Sequence, residues 1–258
     1  MSRSQTESAL EVPVLSAAGR AAMLSYGVLV YLIFLGTFLY VIGFIGGFAV
    51  PKTIDDGLVG PVGQAVLVNL GFLSLFAVQH TIMARPAFKR WWAKYVPPAA
   101  ERSTFVMVTN AILIAMVWQW RPMPDTVWQA EGALAIALDA SFAFGWAIVL
   151  ASTFLIDHFE LFGLKQTCSA ALNRPREATP FQERFLYRYT RHPLMLGFMI
   201  AFWSASSMSE GRLFFAAVTT AYIVVALYIE EHTLVELHGE AYEEYQRRVP
   251  KLIPGLRW

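Results

Sequence analysis

Residues 24–50 read LSYGVLVYLIFLGTFLYVIGFIGGFAV and contain no charged side chain. About 20 apolar residues in a helix are enough to cross the hydrocarbon core of a bilayer, so this stretch predicts a transmembrane helix. Further apolar stretches follow at residues 61–82, 103–120, 132–156, 193–208 and 213–229. Of the 258 residues, 56% are hydrophobic and only 15% are charged, whereas about 25% of the residues of a soluble domain are charged. The composition therefore indicates an integral membrane protein.

The predicted fold is an all-α membrane protein, a bundle of five to six transmembrane helices with a further helix at the C-terminus. The stretch 193–208 is short for a crossing. It is either a shortened span or the first arm of a tight helical hairpin with 213–229, and the turn of that hairpin is expected at residues 209–212. We expect residues 1–20 to form a polar N-terminal segment and residues 21–258 to form a single transmembrane domain.

The positive charges lie on one side of this predicted bundle. All but three of the 20 Lys and Arg residues fall before the first span, in the two long loops or after the last span, and the exceptions are Lys52, Arg121 and Arg212. Because loops rich in Lys and Arg stay in the cytoplasm, this distribution predicts that both termini and the long loops are cytoplasmic. We call this side of the bundle the basic side, and the other the opposite side.

Four polar clusters fall at span ends on the basic side. They are residues 79–80, 157–160, 191–192 and 230–232. Ionisable groups at a membrane boundary are costly to bury and commonly belong to binding sites. A simpler explanation exists for some of them, because juxtamembrane arginines often extend to lipid phosphates and an interfacial histidine often only forms hydrogen bonds. The adjacent Glu230 and Glu231, however, repel each other and need cationic partners, for which Arg188 and Arg191 are candidates.

Several other kinds of site find no support in the motifs. The chain contains no Gly-x-Gly, so neither a dinucleotide-binding turn nor a phosphate-binding loop is expected. Its one cysteine, Cys168, excludes an intrachain disulfide and a cysteine-based metal cluster. The five histidines include no His-Glu-x-x-His motif, so no catalytic metal is expected.

The C-terminal quarter of the chain resembles the signature of the integral-membrane methyltransferases, which include isoprenylcysteine carboxyl methyltransferase and the phospholipid methyltransferases. The matching positions are Arg191-His192-Pro193, Gly197, Glu230-Glu231, Leu234, His238-Gly239, Tyr242, Tyr245 and Val249-Pro250. This resemblance implies that S-adenosylmethionine is the cofactor. It also implies that residues from about 184 to 258 form the cofactor pocket at the cytoplasmic face.

The side chains of this segment suit the chemistry of that cofactor. An arginine fork binds a carboxylate through two hydrogen bonds, so Arg188 or Arg191 is expected to hold the cofactor carboxylate. One of the two adjacent carboxylates, Glu230 or Glu231, is expected to hold its ammonium group or ribose hydroxyls. We expect His192 to bind the cofactor or to orient an arginine. Tyr187 completes the predicted pocket.

Motifs upstream of this segment resemble a narrower family, the bacterial methanethiol S-methyltransferases, and in part the NnrU membrane proteins. They are QHTIMAR at 79–85, ERSTF at 101–105, WRP at 120–122 and DHFELFGL at 157–164. The resemblance implies methylation of methanethiol to dimethyl sulfide in the bacterial inner (cytoplasmic) membrane. The implied partners are a small volatile thiol and the lipid bilayer, with no nucleic acid.

A thiol reacts as its thiolate, so a base is expected beside the acceptor. His80 and the pair Asp157 and His158 are the candidates, because an imidazole titrates near neutral pH and all three lie at the depth of the other clusters. Two alternatives remain open. One is methylation of isoprenylcysteine or of a phospholipid, which needs a wide groove open to lipid. The other is a non-enzymatic NnrU-like protein that binds haem or an ion through His80, His158 and His192.

Overall fold

The computed structural model describes residues 15–174 and 185–256. The α-helices of this part of the chain are, in order, α1 (Ala17–Gly46), α2 (Val62–Ala84), α3 (Pro86–Trp92), α4 (Pro98–Gln119), α5 (Gly132–Ile156), α6 (His158–Leu161), α7 (Leu164–Ala171), α8 (Pro193–Trp203), α9 (Glu210–His238) and α10 (Glu240–Arg248). Two short strands accompany them, β1 (Thr126–Gln129) and β2 (Ser207–Ser209), together with a 3-10 helix over Phe185–Arg188.

Five of the described helices, α1, α2, α4, α5 and α9, are long and apolar enough to cross a membrane. Each has at least 22 residues, and at a rise of about 1.5 Å per residue it exceeds the hydrocarbon thickness of about 30 Å. Large apolar side chains such as Leu67, Leu134 and Ile136 are more than half exposed on these helices, as expected where the neighbour is lipid. The predicted all-α membrane bundle and its C-terminal helix, α10, are therefore confirmed.

Helix α8 covers only the first part of the short apolar stretch 193–208. It has 11 residues and is about 16 Å long, which is too short to span the bilayer as a helix. After Ser204 the chain continues in extended form to β2, and β2 pairs antiparallel with β1 in the loop between α4 and α5. The segment thus runs from the basic side to the opposite side as a half-length helix followed by a strand.

The turn predicted at residues 209–212 is replaced by the start of α9. Ser209 is the N-cap of α9, and its hydroxyl accepts a hydrogen bond from the backbone N–H of Arg212. β2 is held against the loop between α4 and α5, where the backbone N–H of Ala130 donates to the carbonyl of Ser206 and the indole N–H of Trp128 donates to the carbonyl of Ala205. This pairing could not be predicted from the sequence because the two strands are only four and three residues long and lie far apart in the chain.

Two glycines allow α8 to pack directly on the backbone of α5. A Cβ atom at Gly145 would lie 2.6 Å from the backbone nitrogen of Ala201, and one at Gly197 would lie 2.7 Å from the carbonyl oxygen of Gly145. Small residues permit this close approach of membrane helices. Helix α8 also contacts α9, where Leu196 packs against the cluster around Leu227.

The chain after α10 folds back onto the bundle at the basic side. Tyr242 and Tyr245 of α10 are almost fully buried, and Leu252 packs with Ile223 and Leu227 of α9. The residues that follow α10, 249–252, are called the C-terminal segment below. The backbone N–H of Arg191 donates to Pro250 of this segment at 3.0 Å, so the start of α8, the end of α9 and the C-terminal segment meet at one place.

Candidate functional site

The carboxylate of Glu231 is surrounded by three basic side chains at this meeting point. Its Oε1 lies 2.6 Å from Nη1 of Arg191 and 3.2 Å from Nε2 of His192. Its Oε2 lies 3.3 Å from Nζ of Lys251. All four side chains are less than 10% exposed. We call this set the Glu231 cluster.

Local structure brings each member of the cluster into place. Pro193 occupies the first turn of α8, where its missing N–H is not needed, and the two residues before it are thereby held at the mouth of the bundle. The hydroxyl of Thr190 donates to the carbonyl of Lys251 at 3.3 Å. The ammonium of Lys251 also lies 3.9 Å from the ring centre of Tyr228, a cation–π contact.

Lys251 is a member of the site that the sequence analysis did not predict. Its position directly after the matching Val249-Pro250 dipeptide was the available signal. Nothing in the spacing showed that this dipeptide returns to Thr190 and Arg191, because the contact joins residues about sixty positions apart.

Glu230 differs from Glu231 because its side chain is 48% exposed, and its Oε2 lies 3.8 Å from Nδ1 of His192. Burial, and then the negative charge of Glu230, raise the pKa of the Tyr187 phenol, so Tyr187 stays a neutral hydrogen-bond donor. The backbone carbonyl of Tyr187 accepts a hydrogen bond from the Tyr245 hydroxyl at 2.6 Å. Arg188, at the end of the 3-10 helix, is exposed and outside the buried cluster.

One buried donor of the cluster has no hydrogen-bond partner. Among the described residues, none accepts a hydrogen bond from Nε of Arg191. An unpaired buried N–H costs about 1–3 kcal/mol, so such a group commonly serves a ligand. The unpartnered guanidinium N–H and the half-exposed carboxylate of Glu230 therefore offer one donor and one acceptor at the same site.

His80 lies on α2 in an aromatic setting. Its ring stacks on Phe76 at 5.3 Å and lies 4.9 Å from the ring of Phe105 on α4. The nitrogen Nδ1 is buried and has no hydrogen-bond partner in the described chain. Phe76 also contacts Tyr222 of α9, whose hydroxyl is 3.5 Å from that of Thr81. Tyr222 precedes Glu230 by eight residues, about 12 Å along the helix, so the neighbours of His80, Phe76 and Thr81, contact the helix that carries the Glu231 cluster.

His158 has a complete set of partners of its own. Its Nε2 lies 2.9 Å from the Tyr31 hydroxyl, and its Nδ1 lies 2.8 Å from the hydroxyl of Thr153. Since Thr153 donates its own proton to the carbonyl of Leu150, the network assigns the ring proton to Nδ1. Burial lowers the pKa of His158. The ring is therefore a neutral, hydrogen-bonded part of the contact between α1 and α5.

The carboxylate of Asp157 forms its hydrogen bonds with groups other than the imidazole of His158. It accepts from the backbone N–H of Glu160 at 3.0 Å and from the ammonium of Lys165 at 2.5 Å. Burial alone would raise the pKa of Asp157, but the hydrogen bonds from Lys165 and Glu160 more than offset it and hold this pKa below its usual value. The side-chain oxygen of Asp157 caps α6, and the partner of Nδ1 in His158 is Thr153.

Of the nine residues predicted for the site, the structure brings Arg191, His192, Glu230 and Glu231 together, with Tyr187 beside them. His80 lies on α2, and its stacking partner Phe76 contacts α9 at Tyr222. The contacts described for Asp157 and His158 lie instead among α1, α5 and the residues around α6.

The fold and this site define a polytopic α-helical membrane protein with a charged binding site built into one end of its bundle. The NnrU protein family model matches residues 68–208. The chain is 49% identical to methanethiol S-methyltransferase 2 of Bradyrhizobium diazoefficiens, over 92% of each chain. This protein belongs to the methanethiol S-methyltransferases, within the NnrU family.

Two further relatives extend the comparison. The chain is 50% identical to the methanethiol S-methyltransferase of Mycobacterium tuberculosis, over 89% of this chain and 94% of the relative. It is 45% identical to that of Pseudomonas deceptionensis, over 98% and 97%. No solved structure matches the chain.

Proposed function

We propose that this protein transfers the methyl group of S-adenosylmethionine to methanethiol, giving dimethyl sulfide and S-adenosylhomocysteine, on the cytoplasmic side of a bacterial inner membrane. The identity of 45–50% to proteins named for this activity supports the proposal along nearly the whole chain. The structural observation that carries it is the unpartnered N–H of Arg191 beside the half-exposed carboxylate of Glu230. An amino-acid group, with its carboxylate and its ammonium, matches this donor and this acceptor.

The cofactor would supply an electrophilic methyl group on its sulfonium. We assign Arg191 to its carboxylate and Glu230 to its ammonium or ribose hydroxyls, while the neutral phenol of Tyr187 offers a further donor. Glu231 has a different role in this proposal, because its two oxygens are already shared by three basic groups. It holds the guanidinium of Arg191 in place, and it holds Lys251 and thereby the C-terminal segment.

We assign His80 as the base that takes the proton of the thiol at Nδ1. This nitrogen has no other described partner, and the rings of Phe76 and Phe105 keep water away from it. Such an apolar setting favours the reaction, because the thiolate and the sulfonium lose their opposite charges as the methyl group moves.

The test is the production of dimethyl sulfide by protein purified in detergent and supplied with S-adenosylmethionine and methanethiol, measured in the headspace by gas chromatography. The wild type should form product and His80→Phe should lose about 100- to 10,000-fold in rate, the usual contribution of a general base. His80→Phe should still bind the cofactor, measured by calorimetry, and should recover part of its activity at high pH, where the thiol ionises without help. No product from wild-type protein that binds the cofactor would refute the proposal, and weak cofactor binding by His80→Phe would refute the role of His80.

The alternative function is that of a non-enzymatic NnrU-like protein that binds haem or an ion through His80, His158 and His192, and the NnrU match concerns the family and not such a ligand. The three histidines that this alternative requires have separate surroundings: His80 lies between phenylalanines, His158 between Tyr31 and Thr153, and His192 against Glu231. Within the described ranges, no three His, Cys, Asp or Glu side chains are grouped so that they could hold a metal ion. Haem absorbance of the purified protein, lost in His80→Phe, would favour this alternative.

A further inference from the structure

A groove of about 420 Å³ lies between α1 and α4 near the opposite side of the bundle, far from the Glu231 cluster. Gly36 and Tyr40 of α1 form one wall, Ile114 and Trp118 of α4 form the other, and Lys52 lies at the end. Its size falls in the range of about 300–1,000 Å³ that is usual for small-molecule sites.

The groove opens toward the lipid rather than toward another helix. No atom lies within 4 Å of a Cβ built on Gly36, so this glycine leaves open space in the wall that α1 contributes to the groove. On the other wall Trp118 is 74% exposed and Ile114 is 50% exposed. A hydrocarbon chain lying along α1 and α4 would cover these apolar surfaces.

Lys52 lies at the end of the groove, and the charge of Arg121 is near enough to act on it. The ammonium of Lys52 donates to the carbonyls of Trp118 and Trp120, at 2.7 and 3.2 Å, and so caps the C-terminus of α4. Burial and the neighbouring charge of Arg121 lower the pKa of Lys52. The negative charge of Asp56 raises the pKa of Lys52 in part. The carboxylate of Asp56 itself accepts hydrogen bonds from the backbone N–H and the hydroxyl of Thr53.

Lys52 and Arg121 differ from Arg212, the third basic residue on this side, in their lack of an acidic partner among the described residues. Arg212 is paired with Asp55 at 3.1 Å. In the described part of the chain, neither Lys52 nor Arg121 forms an ion pair, and Nε of Arg121 is buried with no hydrogen-bond partner. Capping of α4 accounts for Lys52 alone. It does not account for a second cation with an unpartnered N–H beside it and an open apolar groove below.

We propose that this groove binds one anionic phospholipid, with an acyl chain between α1 and α4 and the phosphate at Lys52 and Arg121. An apolar channel that ends in two cations is complementary to a hydrocarbon chain that ends in a phosphate. The site is separate from the proposed methyl-transfer site and does not depend on it.

The protein reconstituted in nanodiscs with equal amounts of phosphatidylglycerol and phosphatidylethanolamine, then released for native mass spectrometry, tests this proposal. The wild type should retain one phosphatidylglycerol. Gly36→Leu should lose it, because the larger side chain would fill part of the groove from a position where a Cβ meets no atom within 4 Å. The matched control is Gly71→Leu on α2, where a Cβ also meets nothing within 4 Å, and this variant should retain the lipid.

Charge variants test the head-group contact separately. Lys52→Gln and Arg121→Gln should each weaken retention of phosphatidylglycerol over phosphatidylethanolamine about fivefold, as expected for removal of one basic group near an anionic lipid. Glutamine at position 52 can still donate to the carbonyls of α4, which limits the effect on folding. Wild-type protein without bound phospholipid, or equal retention in Gly36→Leu and Gly71→Leu, would overturn the proposal, as would retention in which the charge variants show no change of lipid preference.

Discussion

Glu230 and Glu231 are adjacent in sequence, but their side chains have different surroundings. We therefore expect Glu230 to contribute to cofactor binding and Glu231 to contribute to the stability of the fold. Glu231 is buried among Arg191, His192 and Lys251, whereas Glu230 is half exposed. Replacing Glu231 leaves two buried cations without their carboxylate. Removing one partner of a buried ion pair lowers the stability of a protein by about 3–5 kcal/mol. We predict that Glu231→Gln lowers the melting temperature in detergent strongly, and that Glu230→Gln leaves it unchanged.

The same pair separates the two roles in cofactor binding. Glu230→Gln should raise the KM for S-adenosylmethionine with little loss of folded protein, because only the contact to the ligand is removed. An equal loss of thermal stability in both variants, measured by tryptophan fluorescence on heating, would contradict the assignment of the ligand contact to Glu230.

His158 should make the stability of the protein dependent on pH. Burial lowers its pKa below the ordinary value of 6.5, so the folded state binds fewer protons than the unfolded chain just below that pH. The stability from the neutral ring is therefore complete above pH 6.5 and decreases as the pH falls through 6.5 toward the folded pKa. We predict a lower melting temperature at about pH 5.5 than at about pH 8, the range in which histidine titrates. His158→Phe should show a smaller dependence on pH, and an unchanged dependence would show that another group is responsible.

At the scale of the elements, the contact between α5 and α8 controls where the site residues lie. Helix α8 carries Arg191 and His192 at its start, and its position depends on the close approach at Gly145 and Gly197. Gly145→Ala places a methyl group against the backbone of α8. Such overpacking lowers the stability of the protein by about 1–3 kcal/mol. We predict weaker cofactor binding and a lower melting temperature. Gly71→Ala on α2 adds the same group in open space and should change neither, and cofactor binding by Gly145→Ala at the wild-type level would contradict the role of this contact.

The sequence was sufficient for the long helices and for three of the four residues of the Glu231 cluster, and insufficient for the short elements. Strongly apolar stretches of 20 residues or more have one stable form in lipid, so α1 and α5 could be predicted from their length and apolar composition. The pair β1 and β2 could not, because its stability comes from hydrogen bonds between segments about eighty residues apart. Lys251 was missed for the same reason, since only the folded C-terminal segment brings it to Glu231.

The depth in the membrane, inferred from the position along each span, also could not distinguish the roles of the histidines. His80 and His158 both fall at span ends on the basic side, and both were predicted as candidate bases. Which partners surround each ring depends on helix rotation, which the nearly uniform hydrophobicity of α2 and α5 does not reveal. Thr153 and Tyr31 occupy both nitrogens of His158, and Nδ1 of His80 has no partner in the described residues.

At the scale of the whole molecule, the proposed methyl-transfer site and the proposed lipid groove lie toward opposite sides of the bundle. The basic side carries the Glu231 cluster, and the opposite side carries Lys52, Arg121 and Arg212. A cytoplasmic basic side would give the site access to S-adenosylmethionine, which is charged and does not cross lipid. The groove would then bind lipid of the outer leaflet of the same membrane. The orientation of the bundle is therefore a condition for the proposed function.

The single native cysteine makes this orientation directly measurable. In a Cys168→Ser background, Leu58→Cys places a thiol on the opposite side and Tyr95→Cys places one on the basic side, at positions 84% and 68% exposed in the folded protein. Because positively charged loops remain in the cytoplasm, we predict that a membrane-impermeant maleimide added to intact bacterial cells labels Leu58→Cys and not Tyr95→Cys. Both variants should be labelled after the cells are broken, which controls for the accessibility of each thiol. The reverse pattern would place the Glu231 cluster outside the cytoplasm, where the cofactor is not supplied, and would contradict the proposed function together with the orientation.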